Sequence, residues 1–223
     1  MKRLLIFCLL FACCFVPNYS KAQLFQDAAI HGDFQVDAQY YKEDKEIGAP
    51  EVKERMLANG FGNFIFTAGD FSAGARYESY LNPLQGFDPR YKGSGFPYRF
   101  ASFKKDNFEI TVGNYYEQFG SGLIFRTYEE RGLGLDNAMD GIRVKYQPVK
   151  GLRLKGVLGR QRAFFELGEG IVRGLDAEVS LNEIYDKFAT MQTYITVGGS
   201  FVSKYQEDRD PFLVLPENVG AMS

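Results

Sequence analysis

Few residues in this chain carry types and spacings that could do chemistry. The single histidine, His31, precedes Gly32 and Asp33. Any histidine-dependent Ser or Cys triad would have to use it, and at the start of an extended segment it reads as a solvated side chain. No HExxH, CxxC or P-loop pattern occurs. Glu129, Glu130, Asp136 and Asp140 stand close enough to chelate Ca²⁺ on a loop. Their spacing is not that of an EF-hand, so they are expected to be solvated loop acids. Cys8, Cys13 and Cys14 all fall within the first 22 residues, which leaves the rest of the chain without a thiolate. No catalytic residue, cofactor or metal site is expected.

The charged residues that do stand out alternate with apolar ones. Arg143 and Lys145 alternate with Ile142, Val144 and Tyr146; Arg153 and Lys155 alternate with Leu152 and Leu154. The turn 148–151 would bring these two segments side by side and place four cations on adjacent strands. Asp176 and Glu178 follow on the polar side of the next segment. Two readings fit. The patches set up a transverse field that biases ion passage, or they form a passive ladder of cross-strand ion pairs filling a narrow interior.

The segment from Gly113 to Arg126 is the most distinctive stretch. Its glycines permit sharp bends or close approach to another wall. With Gly120, Gly122, Arg126 and Arg131 it could fold inward as a constriction. It could equally form an outward hairpin, with 123–128 as a further strand.

The elements that must position these residues are strands. Phe34, Val36, Ala38 and Tyr40 share one side of an extended segment, and Gln35, Asp37 and Gln39 the other. The same alternation predicts nine strands, at 32–41, 61–68, 71–82, 98–104, 107–116, 140–147, 152–162, 171–182 and 190–204, with a tenth beginning beyond 216. The segments 42–59, 83–97 and 117–139 are long connections. Gly69-Asp70, Lys105-Asp106 and 148–151 are tight ones. This alternation of long and short links is the habit of a transmembrane barrel. The link at 183–189 is long for its side. The fold expected is all-β: an antiparallel, up-and-down transmembrane β-barrel, incomplete, with about nine or ten strands present. The competing architecture is a soluble β-sandwich or lipocalin-like carrier with the apolar face turned inward.

Residues 1–22 read as a signal peptide: a basic start, the apolar run from Leu4 to Val16, Pro17, then Ser20-Lys21-Ala22 before the cut. A buried N-terminal helix and a lipoprotein signal centred on Cys13 are the alternatives. Residues 23–223 would form the N-terminal part of the barrel. The net charge of −2, with both signs dispersed, gives no case for nucleic acid. Tyrosine and phenylalanine (14 and 21 residues) with 24 glycines suit a sheet with tight turns and interfacial rings.

The Ala22-Gln23 junction, the early Gly32-Asp33-Phe34-Gln35, the run from Gly113 to Leu123, Leu135-Asp136-Asn137 and Gly159-Arg160-Gln161-Arg162 resemble an uncharacterised outer-membrane protein family of Bacteroidota. The resemblance implies a β-barrel of the cell outer membrane with no assigned activity, in members longer than this chain. Together with the close at Ala221-Met222-Ser223, where no terminal aromatic stands, this leads us to expect an N-terminal fragment. The partners expected are outer-membrane lipid and the barrel-assembly machinery, with small solutes or a surface partner beyond them. The function expected is a passive pore or scaffold. The alternative is a receptor or secretion-associated barrel that uses the three long loops.

Overall fold

The structure, a computed structural model, describes residues 28–206. The expected signal peptide, the three cysteines and the expected tenth strand lie outside these residues. Twelve strands are formed among the described residues. Nine make the frame: β1 (Ala29–Tyr40), β2 (Met56–Ala68), β3 (Phe71–Asn82), β4 (Gly93–Lys105), β5 (Phe108–Tyr115), β8 (Met139–Val149), β9 (Leu152–Ala163), β11 (Ile171–Ser180) and β12 (Thr196–Tyr205). Three are two-residue ladders: β6 (Glu129–Glu130), β7 (Leu135–Asp136) and β10 (Glu166–Leu167).

The sheet has ten strands, and its path follows chain order from β1 to β12, with β10 attached to β9. Every pairing is antiparallel. The nine expected strands are therefore present, as an up-and-down meander. The sheet does not close into a barrel among the described residues, because β1 pairs only with β2 and β12 only with β11.

Three boundaries move by five residues or more. β2 and β4 each start five residues earlier than expected, at Met56 and Gly93. For β4 this draws part of the Gly/Pro-rich loop into the ladder, with Glu78 opposite Gly95 and Ser79 opposite Ser94. β12 begins at Thr196 rather than 190. The residues before it form two single-turn helices, α1 (Leu181–Ile184) and α2 (Asp186–Ala189). Asn182 holds that connection. Its side chain accepts from Ile195 N (2.7 Å) and donates to Phe188 O and Thr193 O (2.8 and 2.9 Å). Buried backbone in an irregular segment needs such partners.

The sheet is strongly curved. β3 and β9 are four ladder steps apart, a separation of about 19 Å were the sheet flat. Yet Arg162 of β9 reaches Glu78 of β3 at 2.5 Å. Side chains standing off a flat sheet could not meet, so the sheet wraps toward the Glu78 face.

The two faces are distributed inside-out. On the convex side Phe34, Val36, Phe64, Leu81, Val112, Leu158, Leu175, Val197 and Phe201 are exposed. On the concave side Asn59, Arg76, Glu78, Thr111, Asn114, Asp176 and Ser180 are buried.

Candidate functional site in the polar interior

The concave face carries two networks of charge and two aromatic clusters. The first network lies between β3, β9 and the long connection 116–138. Arg76 donates through Nε to Glu78 (2.7 Å), through Nη1 to Glu129 (2.9 Å) and through Nη2 to Asp136 (2.7 Å). Arg162 donates to both oxygens of Glu78, to Asp136 and to Phe164 O. Asp136 also accepts from the Tyr116 hydroxyl and the Ala138 amide, both at 3.0 Å. Arg131 closes the set on Glu129 at 3.0 Å. Three arginines face three carboxylates, so the network is neutral.

The carboxylates of Glu78, Glu129 and Asp136 lie within 4.8 Å of one another, a spacing that could hold a cation. The guanidinium groups of Arg76 and Arg162 already supply the positive charge there. A divalent ion would have to displace them.

The loop acids are not all solvated, contrary to the expectation from sequence. Asp136 is a buried and Glu129 a half-buried member of this network, and Asp140 pairs with Arg99 at 3.2 Å; of the four, only Glu130 is exposed. The cause is the inward course of the connection, which lays these acids against arginines of the strands.

The second network contains most of the expected charge cluster. Arg143 pairs with Glu109 and donates to Thr111 (3.0 Å) and to Tyr116 O (3.1 Å). Lys145 and Lys155 converge on Glu117 at 2.9 and 3.3 Å, and Lys155 also donates to Gln118 O (2.8 Å). Asp176 accepts from Ser200 at 2.6 Å and lies 3.9 Å from Lys155. Again three cations face three acids. Arg153 and Glu178 stand outside this group. They are register partners on β9 and β11, but Arg153 turns to Glu183 of α1 at 2.7 Å.

Glu117 is the residue that sequence reasoning missed, and it organises this network. Burial pushes its carboxyl up, but Lys145, the Gln118 amide and Lys155 outweigh that and hold it below the ordinary carboxylate range.

The segment after Glu117 folds inward. Phe119 and Phe125 pack with Tyr115, Met139, Val157 and Val172 into a buried cluster. A Cβ at Gly174 would stand 2.7 Å from the Phe119 ring, so only glycine leaves room for this strap on β11. Positive φ at Gly120 (48°) and Gly122 (86°) turns the chain back, and Gln118 bridges to Arg126. Of the residues expected to form a constriction, the two glycines make the reversal, Arg126 stacks on Tyr128 (4.6 Å), and Arg131 sits over Phe61 (4.8 Å).

The second aromatic cluster, Phe61, Tyr80 and Tyr91 with Phe87, Phe164 and Phe165, fills the interior at the long-connection end. In that connection Asp88 accepts from Arg90, which holds its carboxyl down to about 2.

Over residues 1–223 the chain matches the family model described as a family of unknown function, DUF6029, and it belongs to that family. No curated protein matches it.

Proposed function

We propose that this protein is an outer-membrane β-barrel protein with a structural or scaffold role, its interior filled by its own side chains rather than held open as a channel. One observation carries the reading: charge is buried on the concave face and large apolar side chains cover the convex one. In water this pattern is costly on both sides, because monomeric soluble proteins rarely expose extended apolar patches. In a bilayer it is the required one, since outward residues meet acyl chains and inward polar groups satisfy one another. A lipocalin-like carrier needs the opposite assignment.

The order of connections supports the same reading. Links 41–55, 83–92, 116–138 and 164–170 leave from one end, and the two-residue turns at 69–70, 106–107 and 150–151 leave from the other, together with the 181–195 link, which is long for that end. The neutral balance of both interior networks, with the Phe119–Phe125 strap lying across the sheet, favours the passive ion-pair ladder over a transverse field. Outer-membrane lipid and the barrel-assembly machinery are the partners this role requires.

Membrane fractionation with heat-modifiable gel migration tests the barrel. The expected result is an outer-membrane fraction that migrates faster unboiled than boiled. A soluble periplasmic product with one mobility overturns it. Planar-bilayer recordings of the full-length protein are expected to stay near baseline, and stepwise conductance without deletion of the strap overturns the scaffold role.

A further inference from the structure

A cavity of about 370 Å³ opens on the concave face between β3, β4, β5 and β8, at the end that carries the tight turns. Its lining includes Ser72, Tyr98, Phe100, Ser102, Lys104 and Arg143. The size falls within the range of small-molecule sites. We propose that it binds a sugar acid: one hydroxylated ring bearing a carboxylate.

Three features point to that chemistry. The first is aromatic surface. Tyr98 stacks on Tyr116 with centroids 5.4 Å apart. Phe100 lies over Gly74, where a Cβ would stand 2.6 Å from its ring. Tyr98 and Phe100 meet edge to face at 70°, so they make an apolar corner against which the C–H face of a ring can sit, and glycine at 74 is what leaves room for Phe100.

The second is hydroxyl chemistry. Ser72, Ser102, Thr111 and Tyr98 offer hydroxyls that both donate and accept, while those of Tyr115 and Tyr116 are given to Ile142 O and Asp136. Ser102 and Thr111 already share a hydrogen bond of 3.0 Å, which orients them as a pair.

The third is charge. Arg143 and Lys104 line the cavity, and its only acid, Glu109, is paired with Arg143. The balance is one positive charge. The Nε of Arg143 is buried with no hydrogen-bond partner, and buried donors rarely go unused. Lys104 stands exposed at the rim. A carboxylate would take both, whereas a neutral sugar would leave the charge unanswered.

This site does not depend on the membrane reading for its geometry. The test uses the full chain purified in detergent micelles, with its barrel state scored separately by heat-modifiable migration, so the two readings fail independently. Tyrosine fluorescence and calorimetry are followed with glucuronate, glucose and benzoate as probes. Saturable binding of glucuronate, with glucose and benzoate each at least about tenfold weaker, is expected from the loss of the charged or the hydroxyl contacts.

Lys104→Ala should weaken glucuronate about tenfold. Lys105→Ala removes the same charge from the opposite face of β4 and should leave binding unchanged. Tyr98→Leu should abolish binding while Lys104→Ala keeps the protein folded. Equal binding of glucose and glucuronate, no saturation with glucuronate by folded protein, or equal effects of Lys104→Ala and Lys105→Ala overturns the proposal.

Discussion

Replacing Arg162 by methionine is the sharpest probe of the interior. The side chain is 2% exposed and donates four hydrogen bonds, two to Glu78, one to Asp136 and one to Phe164 O. Methionine fills much of the volume but carries no charge. The network then holds Arg76 and Arg131 against Glu78, Glu129 and Asp136, a buried excess of one negative charge. Removing one partner of a buried ion pair costs about 3–5 kcal/mol, because the remaining charge stays desolvated. The double variant Arg162→Met/Glu78→Gln restores neutrality and should recover about 1–3 kcal/mol of that loss. Lys45→Ala, whose pair with Glu43 lies in solvent, should leave stability unchanged. The assay is a urea titration of the protein folded into lipid vesicles, read by the unboiled gel band and converted through its midpoint and slope. An Arg162→Met variant within about 1 kcal/mol of the parent, or a double variant no better than the single, would falsify the picture of a neutral, ion-paired interior.

Four further outcomes follow from the same geometry. Val112 is outward on β5 and 52% exposed; Val112→Arg should cost about 2–4 kcal/mol in a bilayer, against about 0.5 at an exposed site in water. Comparing folding in vesicles with the effect of Glu130→Arg on an exposed loop residue decides between them. Gly174→Ala should destabilise by about 1–3 kcal/mol through the clash with Phe119, and Phe119→Ala in the same chain should relieve part of it, measured as a coupling energy. Spin labels at Val36, Ile110 and Val197 should be relaxed by lipid-soluble oxygen in preference to aqueous nickel, and the reverse preference would move the apolar face inward. Glu117 gives a pH dependence. It lies outside the strands and its folded carboxyl is held down by Lys145 and Lys155, so its contribution is complete above the ordinary value of 4.5 and is lost as the pH falls through the lower folded value. Limited proteolysis of 117–128 should therefore increase in acid, and Glu117→Gln should remove that dependence.

The frame was legible in the sequence because one rule governs it. Period-two alternation locates every long strand, and Gly69-Asp70 or Lys150-Gly151 marks where the chain reverses. The interior was less legible because its residues obey other rules. Arg162 has the parity of Leu154 and Leu158, which are exposed, so alternation places it outside. It turns inward because the strand end bonds back to the connection, Arg162 N donating to Ala138 O at 2.7 Å. Glu117 and Asp136 sit in an irregular segment, where no period predicts a direction. Arg76 and Glu78 did show a signal, since two opposite charges in the middle of one strand face need partners. Those partners come from 53 residues and more along the chain, and no local pattern contains that distance.

The long connection 116–138 explains why the interior is filled. The inward faces of β8 and β9 present Arg143, Lys145 and Lys155 on neighbouring strands. Like charges opposite one another destabilise a sheet, and Lys145 stands directly opposite Lys155 in the register. Something must neutralise them, and the strands alone supply only Glu109 and Asp176 within reach. Glu117 provides the missing charge by touching all three cations. The same connection brings Glu129 and Asp136 to Arg76 and Arg162. An empty channel would leave these cations to water and ions. Here a loop of the chain itself is the counterion, and deleting 117–128 should convert a silent barrel into a conducting one that prefers anions, measured as reversal potential in a salt gradient.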